Sequence, residues 1–359
     1  MSKILMKGNE AVAEAAMRAG CRLYFAYPIT PQSELIEYMA KMMPKVDGTF
    51  LQAESEVAAI NMVYGAAGCG KRVMTSSSSP GISLKMEGIS YIAGAELPAV
   101  IVNVQRGGPG LGDIQPSQSD YFQAVKGGGH GDYRLIVLAP SSVQEFADMA
   151  ADAFDLADKY RNPVMILSDG LLGQMMEPVE FRTAKTQEEM DQLGKQHNSW
   201  CICPNEDGDA KHHHEINSLE IDPVVLEKHV IDLYAKYAVI EKDEIRYDTY
   251  NVSDENEILC VAFGSASRIV KSAINELKAQ GKSVGLIRPI TLWPYPTEAI
   301  VKAIGPKVKQ VYVFELNTGQ MLDDVKIAVE GRVPVRFWGK VGGIVFTPAE
   351  IQSKLEECF

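Results

Sequence analysis

The first half of the chain reads as short, nearly uninterrupted apolar runs separated by stretches with helical spacing. Residues 1–20 suit a short strand followed by an amphipathic helix. Residues 23–26 (LYFA), 98–104 (PAVIVNV), 135–138 and 164–167 are almost wholly apolar, as parallel strands buried on both faces are. Residues 72–75 form a further short strand that runs into four serines. Between these runs, 35–43 and 143–159 carry helical spacing. The small apolar residues of 57–67 suit a helix packed tightly on a sheet. Strands alternating with helices predict a doubly wound parallel sheet, an α/β fold.

From about 177 to 254 the pattern weakens and polar residues dominate, which predicts a linker or excursion with a helix near 223–237. A second α/β unit follows, with strands at 258–263, 284–287, 310–315 and 333–338 and a helix at 266–280. The expected division is a first domain over 1–178, a linker over 179–254 and a second domain over 255–359.

The chain has 359 residues, 46% of them apolar, enough for two full cores. Its net charge of −12 argues against a nucleic-acid footprint. No apolar run is long enough to span a bilayer, and the first residues lack the apolar core of a signal peptide, so a cytoplasmic location is expected. The six cysteines include no C-x-x-C pair, so neither a four-cysteine iron–sulfur site nor a zinc ribbon is expected, and no metal ligands are assigned. Cys201 and Cys203 are read as ordinary loop thiols, His212, His213 and His214 as a solvated cluster, and Gly127–Gly131 as a flexible loop without a P-loop lysine.

Four segments carry candidate chemistry. Tyr27-Pro28-Ile29-Thr30-Pro31 follows a buried strand, and its two prolines stiffen a loop at the sheet edge where α/β folds bind ligands. Thr30 then presents a hydroxyl to a ligand, caps the next helix, or does both. Glu54 and Glu56 open an otherwise small and apolar helix; they either complement its dipole or meet a cofactor nitrogen. Arg106 follows the 98–104 strand and precedes a glycine loop, which suits carboxylate capture or an exposed loop arginine. Thr75–Gly81 (TSSSSPG) suits hydrogen bonding to a heterocycle or capping of the next helix.

Together with 286–296 (LIRPITLWPYP) and 314–321 (FELNTGQM), these segments resemble the alpha subunit of the 2-oxoacid:ferredoxin oxidoreductases across nearly the whole chain. The similarity is greatest to branched-chain (2-oxoisovalerate) members, and next to 2-oxoglutarate members. The resemblance implies a thiamine-diphosphate-binding domain of the pyrimidine type followed by a transketolase C-terminal-like α/β domain. It implies that Glu56 meets the thiamine pyrimidine nitrogen, with Pro28, Ile29 and Ser79 also at the cofactor. It also implies that Thr30 contacts the 2-oxoacid and Arg106 pairs with its carboxylate. The chain has no Gly-Asp-Gly motif for diphosphate and magnesium and no cluster cysteines. The resemblance therefore implies that diphosphate and Mg lie on a beta subunit, and iron–sulfur clusters on partner subunits, with gamma and ferredoxin-like subunits completing the complex. Ferredoxin would accept the electrons and coenzyme A the acyl group. A non-catalytic paralogue of the same fold is the alternative from another class.

Overall fold

The structure, a computed structural model, describes residues 3–202 and 214–359. Cys203, His212 and His213 lie outside the described residues; Cys201 is buried. A seven-stranded sheet forms the core of the first half. Its strands run in the order Thr291–Trp293, Ile136–Leu138, Val164–Asp169, Val100–Gln105, Val73–Ser77, Leu23–Ala26 and Thr49–Gln52. All neighbours are parallel except the edge strand Thr291–Trp293, which pairs antiparallel with Ile136–Leu138. The central strands are buried along their whole length, as their unbroken apolar character requires.

A five-stranded sheet organises the second half, in the order Val335–Gly339, Gln310–Glu315, Ile258–Val261, Val284–Pro289 and Tyr247–Tyr250, the last antiparallel. Two elements depart from the expected linear division. Tyr247–Tyr250, inside the stretch expected to be a linker, completes the second sheet, and Thr291–Trp293 crosses back to edge the first. The stretch also holds two helices. Pro223–Asp243 contains the expected one, and Gln187–His197 is an additional one. The additional helix has too few apolar residues to show a face, but Thr186 and Glu189 form a reciprocal capping box at its start.

The first sheet changes direction between Leu23–Ala26 and Val73–Ser77. The strand that follows Leu23–Ala26 lies to one side of it, and the next lies to the other. The crevice at the carboxyl end of such a switch point is where open α/β sheets take ligands. The 27–31 loop, the start of helix Glu56–Gly68 and the start of helix Ser79–Gly94 meet there. No helix of the described residues is long and apolar enough to cross a membrane.

Candidate active site

Arg106 directly follows strand Val100–Gln105 and is 6% exposed. Its Nη1 donates to the Thr30 carbonyl oxygen at 2.9 Å and its Nη2 to the Leu111 carbonyl oxygen at 2.9 Å. Its Nε is buried without a hydrogen-bond partner. No carboxylate forms an ion pair with it among the described residues. A buried guanidinium without a counter-charge is costly, so an anion reaching Arg106 would be stabilised there. Thr30 itself is exposed, with its hydroxyl uncommitted; the helix after it, Ser33–Met42, has Gln32 at its N-cap and no side-chain cap.

A small network holds the Arg106 backbone. The Ser79 hydroxyl accepts from the Arg106 amide at 3.1 Å and donates to the Asp120 carboxylate at 2.5 Å. Asn103 donates to the same Asp120 oxygen at 2.9 Å, and burial raises the Asp120 carboxyl above its ordinary value. Ser79 is thus a strut of the Arg106 segment, its single hydroxyl donor taken by Asp120. The uncommitted hydroxyls are those of Ser77 and Ser78, both buried and without a hydrogen-bond partner.

Glu56 opens helix Glu56–Gly68 and is 7% exposed; Ser55 caps that helix by accepting from the Ala58 amide at 3.1 Å. No hydrogen bond or ion pair holds the Glu56 carboxylate among the described residues. Gly81 lies against it: a Cβ at Gly81 would stand 2.8 Å from Glu56 Oε1 and 2.1 Å from Ser77 Oγ. Only glycine leaves that notch open. Lys85, one turn further along the same helix, is fully buried. Its Nζ donates to Thr75 Oγ1 at 2.6 Å and to the Ser76 carbonyl oxygen at 3.0 Å. Burial pulls the ammonium down to about 7, and the Glu56 charge works against that fall.

Ser79 touches Arg106 and Gly81 touches Glu56, so two residues at the start of one helix join the two halves of the site. Pro28 and Ile29 follow strand Leu23–Ala26 at the same edge, Pro28 exposed and Ile29 partly so. Glu54 is exposed. A cleft of about 640 Å³ opens beside Arg106, lined by Ser79, Asp120, the 107–110 loop and, from the second half, Leu316, Asn317 and Gln320. Gln118 fixes its far wall by donating to the Phe263 carbonyl at 2.9 Å and accepting from the Leu316 amide at 3.0 Å. A second cleft of about 510 Å³ holds Thr30, Pro31, Ile114, Leu171 and Met175. The 127–131 loop is exposed, with the Gly128 and Gly129 amides donating to the Tyr133 hydroxyl at 3.3 and 3.0 Å. No three His, Cys, Asp or Glu residues gather to hold a metal among the described residues.

Ser77, Ser78, Gly81, Lys85, Asn103 and Asp120 were not individually foreseen as site residues. The orphaned Ser77 and Ser78 hydroxyls and the Glu56 carboxylate beside Gly81 are the kind of hydrogen-bonding groups that a nitrogen-rich ring such as an aminopyrimidine takes.

The family pattern described as "Pyruvate flavodoxin/ferredoxin oxidoreductase, thiamine diP-bdg" matches residues 14–218, and that of "Pyruvate:ferredoxin oxidoreductase core domain II" matches residues 256–351. The ketoisovalerate oxidoreductase subunit VorB of Methanothermobacter marburgensis is 49% identical over 357 residues, covering 99% of this chain and 98% of its own. A solved 2-oxoglutarate:ferredoxin oxidoreductase from Magnetococcus marinus, with 2-oxoglutarate, coenzyme A and succinyl-CoA bound, is similar at a TM-score of 0.84 and 32% identity. That match covers 99% of this chain and 65% of the other. A split-gene transketolase, an inactive tetramer, shares the fold at a TM-score of 0.59 and 14% identity, with 98% of this chain and 97% of that one covered. The chain therefore belongs to the thiamine-diphosphate-binding family of the 2-oxoacid:ferredoxin oxidoreductases, as an alpha-type subunit.

Proposed function

We propose that this subunit serves a coenzyme A-dependent enzyme that oxidatively decarboxylates a branched 2-oxoacid, 2-oxoisovalerate, to an acyl-CoA and carbon dioxide while reducing ferredoxin. The observation that carries the reading is Arg106, a buried guanidinium with an orphaned Nε and, among the described residues, no ion pair, standing at the same sheet edge as the Glu56 carboxylate, which has no partner among them either.

Glu56 would face the pyrimidine nitrogen of thiamine diphosphate and hold or release a proton there. Ser77 and Ser78 offer hydroxyls to the ring's polar edge beside Ser79, whose own donor is taken by Asp120, and Pro28 and Ile29 pack nearby. When bound, the cofactor supplies the carbon nucleophile for the ketone and takes up the electrons released with carbon dioxide. Arg106 captures the substrate carboxylate through its remaining donors, and Thr30 hydrogen-bonds close to the reacting carbonyl. Diphosphate, Mg and iron–sulfur clusters belong to a beta subunit and further partner subunits. Neither cleft beside Arg106 and Thr30 has a second cationic side chain among its lining residues. A second carboxylate, as in 2-oxoglutarate, would lack a counter-charge on this chain, whereas a branched aliphatic tail would meet Pro31, Ile114, Leu171 and Met175. The 49% identity to a ketoisovalerate oxidoreductase subunit supports the same choice.

The test is anaerobic reduction of ferredoxin or a viologen by the assembled complex, with coenzyme A and 2-oxoisovalerate, 2-oxoglutarate or pyruvate in turn. The highest kcat/KM is expected with 2-oxoisovalerate. A preference for 2-oxoglutarate would replace the substrate assignment, and no reduction with any acid by a fully loaded complex would point to a non-catalytic paralogue.

A further inference from the structure

Helices Glu56–Gly68 and Ser79–Gly94 pack face to face, and the seam between them is ordered. Gly81 abuts Glu56, and Gly88 abuts Ile60, where a Cβ would stand 2.6 Å from Ile60 Cγ2. Gly81 and Lys85, and Glu56 and Ile60, are each one turn apart, so Lys85 enters the seam between the two glycine contacts. There it has 0% exposure. A lysine in such a position usually escapes to solvent; this one is held by Thr75 Oγ1 and the Ser76 carbonyl, leaving one of its three N–H donors without a hydrogen-bond partner. The surrounding network is neutral. Ser76 Oγ bonds to the Tyr24 hydroxyl and the Gln32 carboxamide at 2.5 Å each, and burial raises the Tyr24 hydroxyl far above its ordinary value. Glu56 is the charge that acts on Lys85.

We infer that Lys85 is a positioning residue for Glu56, a fully buried cationic side chain set one helical turn beyond the Gly81–Glu56 contact, whose charge orients the Glu56 carboxylate toward a ring nitrogen. The inference rests on the reading of Glu56 given above. Each charge supports the other. The Glu56 charge works against the fall that burial imposes on the Lys85 ammonium, and a cation in the seam lowers the cost of a buried carboxylate. Lys85 touches neither substrate nor cofactor and acts through Glu56.

The test uses the assembled complex loaded with thiamine diphosphate. It measures hydrogen–deuterium exchange at the cofactor's C2 position by quenching and proton NMR, beside steady-state kinetics. Lys85→Met and Lys85→Gln should slow exchange and kcat together by about tenfold or more while KM for the 2-oxoacid stays within about twofold, and Lys85→Arg should restore part of the exchange. In a Glu56→Gln background, Lys85→Met should add less than about twofold, because the charge it would support is gone. Unchanged exchange in an assembled Lys85→Met or Lys85→Gln complex overturns the proposal. So does an equal slowing in the Glu56→Gln background, or loss of assembly in both neutral variants, which would assign Lys85 to the packing of the seam alone. If Glu56→Gln itself leaves exchange intact, the reading of Glu56 fails first, and is recognised separately.

Discussion

Arg106 donates through Nη1 to the carbonyl oxygen of Thr30, 76 positions earlier in the chain, at 2.9 Å. The bond ties the loop after one strand to the end of another across the switch point. It consumes one guanidinium hydrogen, and the Leu111 carbonyl consumes a second, leaving three of five N–H donors for a ligand. Arg106→Ala should raise KM for the 2-oxoacid by about tens- to hundreds-fold, the equivalent of about 2–3 kcal/mol for a charged hydrogen-bonded pair. Arg106→Lys should recover little, since a point charge lacks the fork. Steady-state kinetics of the assembled complex decide it, and an unchanged KM would remove Arg106 from substrate capture.

Gly81→Ala isolates the notch. The added methyl would overlap Ser77 Oγ and press on Glu56 Oε1 and Cγ, so the carboxylate must turn or the helix must shift. Apparent affinity for thiamine diphosphate should fall by about tenfold or more, with a stability cost of about 1–3 kcal/mol from overpacking. Cofactor titration of the apo-complex and a thermal melt give the two numbers. Affinity within about twofold of the parent would show that the cofactor does not occupy this slot.

The residues at strand ends were legible in the sequence; those that act across helices were not. Thr30 and Arg106 follow apolar runs directly, and the end of a buried parallel strand marks the ligand edge. The importance of Gly81 and Lys85 depends on how closely two helices approach, and no local pattern records that distance. The four serines 76–79 look alike as sequence. Only the strand-to-helix bend decides that Ser79 meets Asp120 while Ser77 and Ser78 stay unspent. Helix Gln187–His197 was missed because its residues are mostly polar, although T-x-x-E at 186–189 is a start signal. The return of Thr291–Trp293 to the first sheet was hidden by its three-residue length.

Arg72 predicts a stability effect separable from activity. Its side chain donates to Asp155 at 2.5 Å, Asp158 at 2.8 Å and the Ala19 carbonyl at 2.5 Å, and its guanidinium carbon lies 5.7 Å from the Phe154 ring centroid. Arg72→Ala removes a buried guanidinium from the largely buried Asp158 and the exposed Asp155 and should cost about 1.5–3 kcal/mol, chiefly through Asp158. Denaturant titration of the purified chain measures it. A loss below about 1 kcal/mol would mean that water replaces the arginine at no penalty.

Glu315 links the second sheet to pH. Its carboxylate accepts from the Met321 and Leu322 amides at 2.8 and 3.0 Å and from the Asn317 side chain at 2.9 Å, closing the start of helix Met321–Val329. Burial nonetheless outweighs these bonds and raises it from 4.5 to about 7. The folded chain therefore binds this proton more tightly than the unfolded one. The resulting stability is fully present below about 4.5 and is lost as pH rises through about 7, a contribution on the order of 3 kcal/mol. Glu315→Gln is neutral at every pH and removes that slope, although it gives up one backbone acceptor. The stability of the Gln variant relative to the parent should therefore improve between pH 5 and pH 8, by denaturant titration at both. A difference that stays constant across that window would show that Glu315 is ionised in the folded chain throughout, with its three donors prevailing over burial.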